Sequence, residues 1–126
     1  MTQFATYADL LNAITDENGR DIFNPATGEV VGRAPENTVE DLNAAVETAR
    51  AAQKDFAKLS DAERCELLTK AAAAIDANAE ALVELLSREQ GKPLNGPNAR
   101  FEVGACSGWL NATASFEHPN YTAVDD

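Results

Sequence analysis

Hydrophobic and polar residues alternate along this chain with two different periods, and each period predicts a different kind of element. Apolar residues recur every three or four positions in residues 7–14 and through most of the chain after residue 38, which is the spacing of the buried face of a helix. Short β-prone runs occupy residues 20–23 and 30–34. The pattern therefore predicts a mainly α fold, with four or five helices and one β-hairpin near residues 20–34.

The hairpin is predicted from the sequence Asn24-Pro25-Ala26-Thr27-Gly28 between its two short strands. Pro25 sets the backbone for the first corner of a turn, and Asn24 can hydrogen-bond to the backbone beyond it. Gly28 supplies the left-handed residue after which the second strand can resume its pairing. Two strands alone are barely stable, so this hairpin needs another element to lie against.

Polar residues at the helix boundaries predict where several helices begin. Thr38 can cap one helix, and Ser60 forms a capping box with Glu63 at the start of the next. A break at residues 76–78 allows Asn78 to cap a further helix. The buried stripe of the helix that follows Ser60 is expected to comprise Leu67, Leu68, Ala71, Ala72 and Ile75.

Glycine and proline separate the last two helices. Gly91 is expected to end one helix in the left-handed conformation, with Pro93 blocking its continuation. The last helix is expected to begin near Pro97, because proline suits a first helical turn, and to end at Pro119. Residues 120–126 have the pattern of an extended segment.

One side of the last helix is expected to be apolar, with small residues among the aromatic ones. This stripe comprises Phe101, Ala105, Gly108, Trp109, Ala112 and Phe116. Gly104 and Gly108 each disfavour a helix by about 1 kcal/mol relative to alanine, and such glycines often allow another backbone to approach closely. The stripe is therefore the candidate surface for contact with a partner.

Composition and charge argue against several classes of partner. The 126 residues suffice for one domain, and their net charge is −11. That charge argues against a nucleic-acid surface, which needs clustered Lys and Arg, and against docking to anionic membranes. No apolar run approaches the roughly 20 residues of a membrane-spanning helix, and no targeting peptide is evident. The two cysteines indicate no disulfide scaffold, so the expected location is the cytoplasm.

Five residues were considered as candidates for chemistry, and none is assigned a catalytic, cofactor-binding or metal-binding role. Cys65 and Cys106 have no base or positive surroundings, and are expected to be packed or half-packed in helices. His118 is the only histidine and has no second ligand at metal spacing. Lys92 is interpreted as a cation near a helix C-terminus, and Glu102 as a helix-dipole residue rather than a monovalent-cation ligand; if partly buried, this carboxylate would need a partner.

The order of several motifs resembles the aldehyde dehydrogenase superfamily. The similar segments are Asn24-Pro25-Ala26-Thr27-Gly28-Glu29-Val30-Val31-Gly32, Thr38-Val39-Glu40-Asp41, Ala44-Ala45-Val46 to Ala49-Arg50-Ala51-Ala52, Asp61-Ala62-Glu63-Arg64, Ser87-Arg88-Glu89-Gln90-Gly91-Lys92-Pro93-Leu94 and Phe101-Glu102-Val103. They extend over roughly residues 20–117. The first nineteen residues and residues 95–100 depart from the family pattern, so the resemblance does not identify the aldehyde.

The resemblance implies a parent α/β enzyme that oxidises an aldehyde to a carboxylic acid with NAD or NADP. Residues 1–126 would be the N-terminal helical part of its coenzyme-binding domain, ending before the dinucleotide-binding core. The implied catalytic cysteine, glutamate and asparagine have no counterpart here, so the isolated chain is expected to be inactive and to need no cofactor. Its implied partners are the remainder of the enzyme chain and, at full length, further copies in a homo-oligomer.

Two alternatives remain open at the level of sequence. The chain could be a stand-alone acidic helical module that binds another protein through the stripe from Phe101 to Phe116. It could also be a small enzyme in its own right, which ranks lowest because no nucleophile–base pair or ligand set is evident. The first alternative predicts a cooperatively folded monomer with few exposed apolar groups.

Overall fold

Between residues 2 and 116 the fold contains five helices and one antiparallel hairpin, which confirms the predicted mainly α fold with four or five helices and a hairpin. The computed structural model describes residues 2–116, so the predictions for Pro119 and for residues 120–126 lie outside the described part. The elements, in chain order, are α1 (Tyr7–Ile14), β1 (Arg20–Phe23), β2 (Val30–Ala34), α2 (Val39–Phe56), α3 (Asp61–Asp76), α4 (Ala79–Gln90) and α5 (Pro97–Ala114).

The turn of the hairpin is held by hydrogen bonds that converge on Asn24. Its Oδ1 accepts from the N–H of Ala26 at 2.9 Å, and its carbonyl oxygen accepts from the N–H of Gly28 at 2.8 Å. Gly28 has a φ of +75°, which confirms the predicted left-handed residue. The strands pair antiparallel with a register shift between Ile22 and Phe23.

Capping boxes begin the first three helices. In each, the hydroxyl accepts from the backbone N–H three residues on, and the carboxylate at that position accepts from the N–H of the cap. The pairs are Thr6 with Asp9, Thr38 with Asp41, and Ser60 with Glu63. These boxes satisfy backbone donors that a helix leaves free at its start.

Asn78 stands at the N-cap position of α4, as predicted, but its side chain makes no capping bond. Its Oδ1 instead accepts from the N–H of Phe4 at 2.8 Å, and its Nδ2 donates to the carbonyl of Ala74 at 2.8 Å. The side chain therefore ties the N-terminal segment to the corner between α3 and α4.

The core consists of two small clusters on α4. Leu85 and Ala81 pack with Leu10 of α1, and partly buried residues of the hairpin and α1 surround them. Val83 packs with Ala99 and Val103 of α5. The hairpin lies on the first cluster through Val31, which is the additional support that its two strands require.

Two predicted packing surfaces are formed only in part, or not at all, within residues 2–116. α3 packs on α5, and of its expected stripe Ala72 is buried and Leu68 and Ile75 are partly buried, whereas Leu67 is 45% exposed. A Cβ placed on Gly104 or Gly108 would meet no atom within 4 Å beyond its own helix, so no backbone approaches these glycines. α2 contains no buried residue and makes no extensive contact with another element of residues 2–116.

Candidate functional site

The hairpin turn and the C-terminus of α4 meet in space, although more than sixty residues separate them in sequence. Gly91 ends α4 with a φ of +68°, as predicted, and a Cβ on it would lie 2.7 Å from Cγ of Pro25. The junction forms an open groove. Its lining residues include Asn24, Ala26, Ser87, Arg88, Lys92 and Leu94. Two of the segments that resemble the family, residues 24–32 and 87–94, therefore meet in one structural unit.

Arg88 lines this groove and joins α4 to α1. Its guanidinium is 4.2 Å from the ring centroid of Tyr7, and its Nη2 donates to Oε1 of Glu84 at 2.7 Å. The hydrogen bond to Glu84 raises the pKa of Arg88, and the negative charge of Glu29 adds to that effect. The guanidinium of Arg88 already interacts with Glu84 and with the Tyr7 ring. Its role is therefore to hold α1 and α4 together.

Lys92 and Glu102, two of the sequence candidates, form an ion pair with each other. The Lys92 side chain is only 19% exposed, whereas that of Glu102 is 48% exposed. Glu102 is exposed, so the condition under which it would need a partner is not met, although it pairs with Lys92. Its helix-dipole interpretation is wrong, because Glu102 lies beyond the first turn of α5, which contains no acidic residue. Lys92 lies beyond the last residue of α4. The pair thus links the end of α4 to α5.

Both cysteines are free thiols on helices. Cys65 is a free, half-buried thiol on α3, as expected. Cys106 was expected to be packed and is instead exposed, with its Sγ donating to the carbonyl of Glu102 at 3.3 Å. His118 lies outside the described residues. Within residues 2–116, no group of three or more histidine, cysteine or acidic side chains could hold a metal ion.

The outer side of α5 is an exposed apolar surface of the described residues. Phe101 is 76% exposed, Trp109 72% and Phe116 60%, whereas Ala99 and Val103 on the opposite side are buried. No charged residue occurs from Val103 to Phe116. Contiguous apolar surface of this kind marks a site of contact with another protein surface.

A forked ion pair lies where the start of α4 meets the start of α5. The Nη1 and Nη2 atoms of Arg100 donate to Oε1 and Oε2 of Glu80 at 2.5 and 2.7 Å. The hydrogen bond from Arg100, together with its charge, lowers the pKa of Glu80. Both side chains are more than half exposed, so the pair contributes little stability.

We expect this pair to make stability fall at low pH. Because the folded-state pKa of Glu80 is lowered, its contribution is complete above the ordinary glutamate pKa and is lost as the pH falls through the lowered value. Thermal unfolding of Glu80→Gln and the parent chain, followed from neutral to about pH 3, should show a difference that shrinks with acidification. A difference that is constant with pH would contradict this origin. The pKa of Asp41 is lowered by its hydrogen bonds to Thr38, so both chains should share a further loss.

Comparison with known proteins places the chain in a family. The model of the aldehyde dehydrogenase family matches residues 13–122. The chain belongs to the aldehyde dehydrogenase family. The match contains both the hairpin turn and the end of α4, so the junction of Pro25 with Gly91 lies within the family region. Among residues 2–116, no helix combines the length and apolar character required to cross a bilayer.

Three relatives illustrate the extent of the similarity. Over 90 residues the chain is 38% identical to succinate-semialdehyde dehydrogenase (NADP+) 2 of Schizosaccharomyces pombe, covering 71% of this chain and 18% of that protein. It is 44% identical over 82 residues to a non-phosphorylating aspartate-semialdehyde dehydrogenase of Halomonas elongata, covering 65% and 16%. It is 34% identical over 115 residues to 2-aminomuconic semialdehyde dehydrogenase of Danio rerio, covering 81% and 24%. The chain thus spans less than a quarter of the length of these relatives.

The sequence revealed neither the pairing of Lys92 with Glu102 nor the contact of Pro25 with Gly91. Residue types at Pro25 and Gly91 predicted only local backbone conformation. Lys92 and Glu102 are ten positions apart, on opposite sides of a turn, so no helical spacing brings them together. The apolar neighbours of Glu102 in the sequence were the one signal that its carboxylate could require a partner.

Proposed function

We propose that residues 1–126 are the N-terminal helical part of the coenzyme-binding domain of an NAD- or NADP-dependent aldehyde dehydrogenase. In this proposal the complete protein oxidises an aldehyde to a carboxylic acid, and catalysis resides in residues outside these 126. The match of residues 13–122 to the family, within less than a quarter of each relative's length, is the observation that carries it. The proposal also includes a cytoplasmic location, with which free cysteines are compatible, and assembly of the complete protein into a homo-oligomer.

The role of this segment in the proposal is to cover the remainder of the enzyme. The apolar side of α5, with Phe101 and Trp109 at its surface, is the face on which that remainder packs. The ion pair between Lys92 and Glu102 links α5 to the end of α4. It therefore helps to hold the helix that carries this apolar face in place. No residue of the segment contacts aldehyde or coenzyme in this proposal.

The relatives direct the choice of substrate for the complete protein. All three are named as dehydrogenases of semialdehydes, which are aldehydes that also carry an acid group. We therefore propose a semialdehyde as the first substrate class to assay, with NAD and NADP supplied in parallel.

Calorimetric titration of the isolated chain with NAD and with NADP tests the proposal. We expect no saturable heat, because the coenzyme site would lie outside these residues. We also expect the isolated chain to bind a hydrophobic fluorescent dye strongly, because the exposed side of α5 lacks its cover. Replacing Trp109 and Phe101 by glutamine should remove most of the dye signal, whereas Asn111→Gln on the same helix should leave it unchanged.

Two outcomes would overturn the proposal. Saturable binding of either coenzyme would place a dinucleotide site within the 126 residues. A cooperatively unfolding monomer that binds no dye would instead favour a stand-alone interaction module, because its apolar surface would then need no further cover.

A further inference from the structure

The N-terminal segment, residues 2–6, lies on the corner between α3 and α4, where the side chain of Asn78 binds its backbone. Oδ1 of Asn78 accepts from the N–H of Phe4 at 2.8 Å, and Nδ2 donates to the carbonyl of Thr2 at 3.3 Å. These two backbone groups flank Gln3. In an extended chain, the carbonyl before a residue and the N–H after it point to the same side. The carboxamide of Asn78 therefore stands where the peptide group of a neighbouring strand would stand.

The two helices of this corner orient the carboxamide of Asn78. Its Nδ2 carries two N–H groups, and besides Thr2 it donates to the carbonyl of Ala74 at 2.8 Å. The backbone N–H of Asn78 donates to the carbonyl of Ile75 at 3.0 Å, and its carbonyl accepts from the N–H of Leu82 at 3.0 Å. The acceptor and donor offered to the segment are therefore positioned by α3 and α4, and a site of this kind is preorganised for a ligand backbone.

A single side chain of the segment enters the protein. Phe4 is half-buried and packs against the first core cluster, which consists of Leu10, Ala81 and Leu85. The other residues of the segment 2–6 are exposed. The corner therefore contacts two features of the segment, which are its backbone on either side of residue 3 and one aromatic ring. Main-chain hydrogen bonds combined with a pocket for a particular side chain are a recurring mode of peptide recognition.

We propose that the α3–α4 corner is a docking site for extended peptide segments that carry an aromatic side chain, and that residues 2–4 occupy it in cis. The ligand presents a backbone N–H on its aromatic residue and a carbonyl two residues earlier, which are the groups that Asn78 binds in Thr2 and Phe4. A segment of another protein binds when residues 2–4 leave. The tether opposes this exchange, because it keeps the chain's own segment at an effective concentration in the millimolar range.

Titration of a peptide with the sequence of residues 2–6, blocked at both ends, into isotope-labelled chains followed by NMR tests the site. Phe4→Pro removes the N–H donor and the ring from the chain's own segment and so frees the corner. We expect saturable shifts of the amides of Asn78 and Ala81 in this variant. In the parent chain the apparent affinity should be at least about tenfold weaker, because the tethered segment competes. Phe4→Ala, which removes only the ring, should bind with an affinity between the two.

Matched controls separate backbone recognition from nonspecific contact of the ring. The same peptide with an N-methylated phenylalanine keeps the ring but lacks the N–H donor, and we expect it to lose most of its binding. Adding Asn78→Ala to Phe4→Pro should abolish the saturable shifts. Asn43→Ala, the same replacement at an exposed position of α2, should leave them unchanged. Unaltered amide shifts of Val103, in the second core cluster, verify that each variant keeps the fold.

Three results would each overturn the inference. They are the absence of saturable binding by both Phe4 variants, equal binding of the N-methylated peptide, and unchanged binding after Asn78→Ala. The N-methylated peptide keeps the test decisive even where a replacement disturbs the corner, because it alters the ligand alone. The inference goes beyond the proposed function, since a dehydrogenase neither requires nor predicts a peptide site. Coenzyme titration therefore decides the proposed function independently.

Discussion

Replacing Gly91 by alanine is expected to lower the free energy of unfolding by about 2–3 kcal/mol. Two costs combine at this position. A residue with a Cβ is strained at a φ of +68°, and that Cβ would lie 2.7 Å from Cγ of Pro25. Either the end of α4 or the hairpin turn must therefore move to relieve this contact. Urea unfolding followed by circular dichroism measures the loss.

Gly28→Ala provides the matched control, because Gly28 has a φ of +75° but no atom within 4 Å of an added Cβ. It should lose only the conformational part, about 1–2 kcal/mol. The difference between the two variants then measures the contact of Gly91 with Pro25. Adding Pro25→Ala should reduce the cost of Gly91→Ala by removing the opposing ring atoms. Equal losses at Gly28 and Gly91 would contradict this contact.

Replacing Leu85 by alanine is expected to lower the free energy of unfolding by about 3 kcal/mol. Leu85 is 6% exposed and packs with Leu10 and Ala81 at the point where α1 and the hairpin meet α4. Leu85→Ala leaves a cavity in this small cluster. Neighbouring side chains cannot fill the cavity unless α1 moves. A loss of this size is a large fraction of the stability of an ordinary domain. The measurement is again the midpoint and slope of urea unfolding.

Leu67→Ala removes the same atoms from a side chain that is 45% exposed on α3. We expect a loss of less than about 1 kcal/mol, because most of the buried contact is missing there. A loss at Leu67 equal to that at Leu85 would mean that α3 has further packing that residues 2–116 do not supply. That result would point to a partner covering α3.

Local physics explains why the boundaries of the elements could be predicted. Ser60 and Glu63 lie one turn apart, so their reciprocal bonds form whatever the rest of the chain does. Gly28 and Gly91 adopt left-handed conformations that few other residues accept. By contrast, the side chain of Asn78 could accept a hydrogen bond either from the first turn of α4 or from the N-terminal segment. It accepts from the N–H of Phe4, and this bond depends on where the fold places Phe4.

The candidate surface was predicted less completely than the elements. The stripe on α5 was identified as apolar, and the structure leaves it exposed. Periodicity cannot tell whether an apolar face meets a partner within the same chain, because it reports only that such a face exists. The same limit explains Leu67, whose spacing indicated burial while the fold leaves it 45% exposed.

The sequence by itself determined the elements, their caps and the family, because these depend on neighbouring residues and on the order of motifs. Only the tertiary structure decided that Pro25 lies on Gly91, that Lys92 pairs with Glu102, and that α2 and the outer side of α5 are exposed within residues 2–116. The physical reason is distance along the chain. Contacts between remote residues depend on how whole elements pack, and no local propensity encodes that packing.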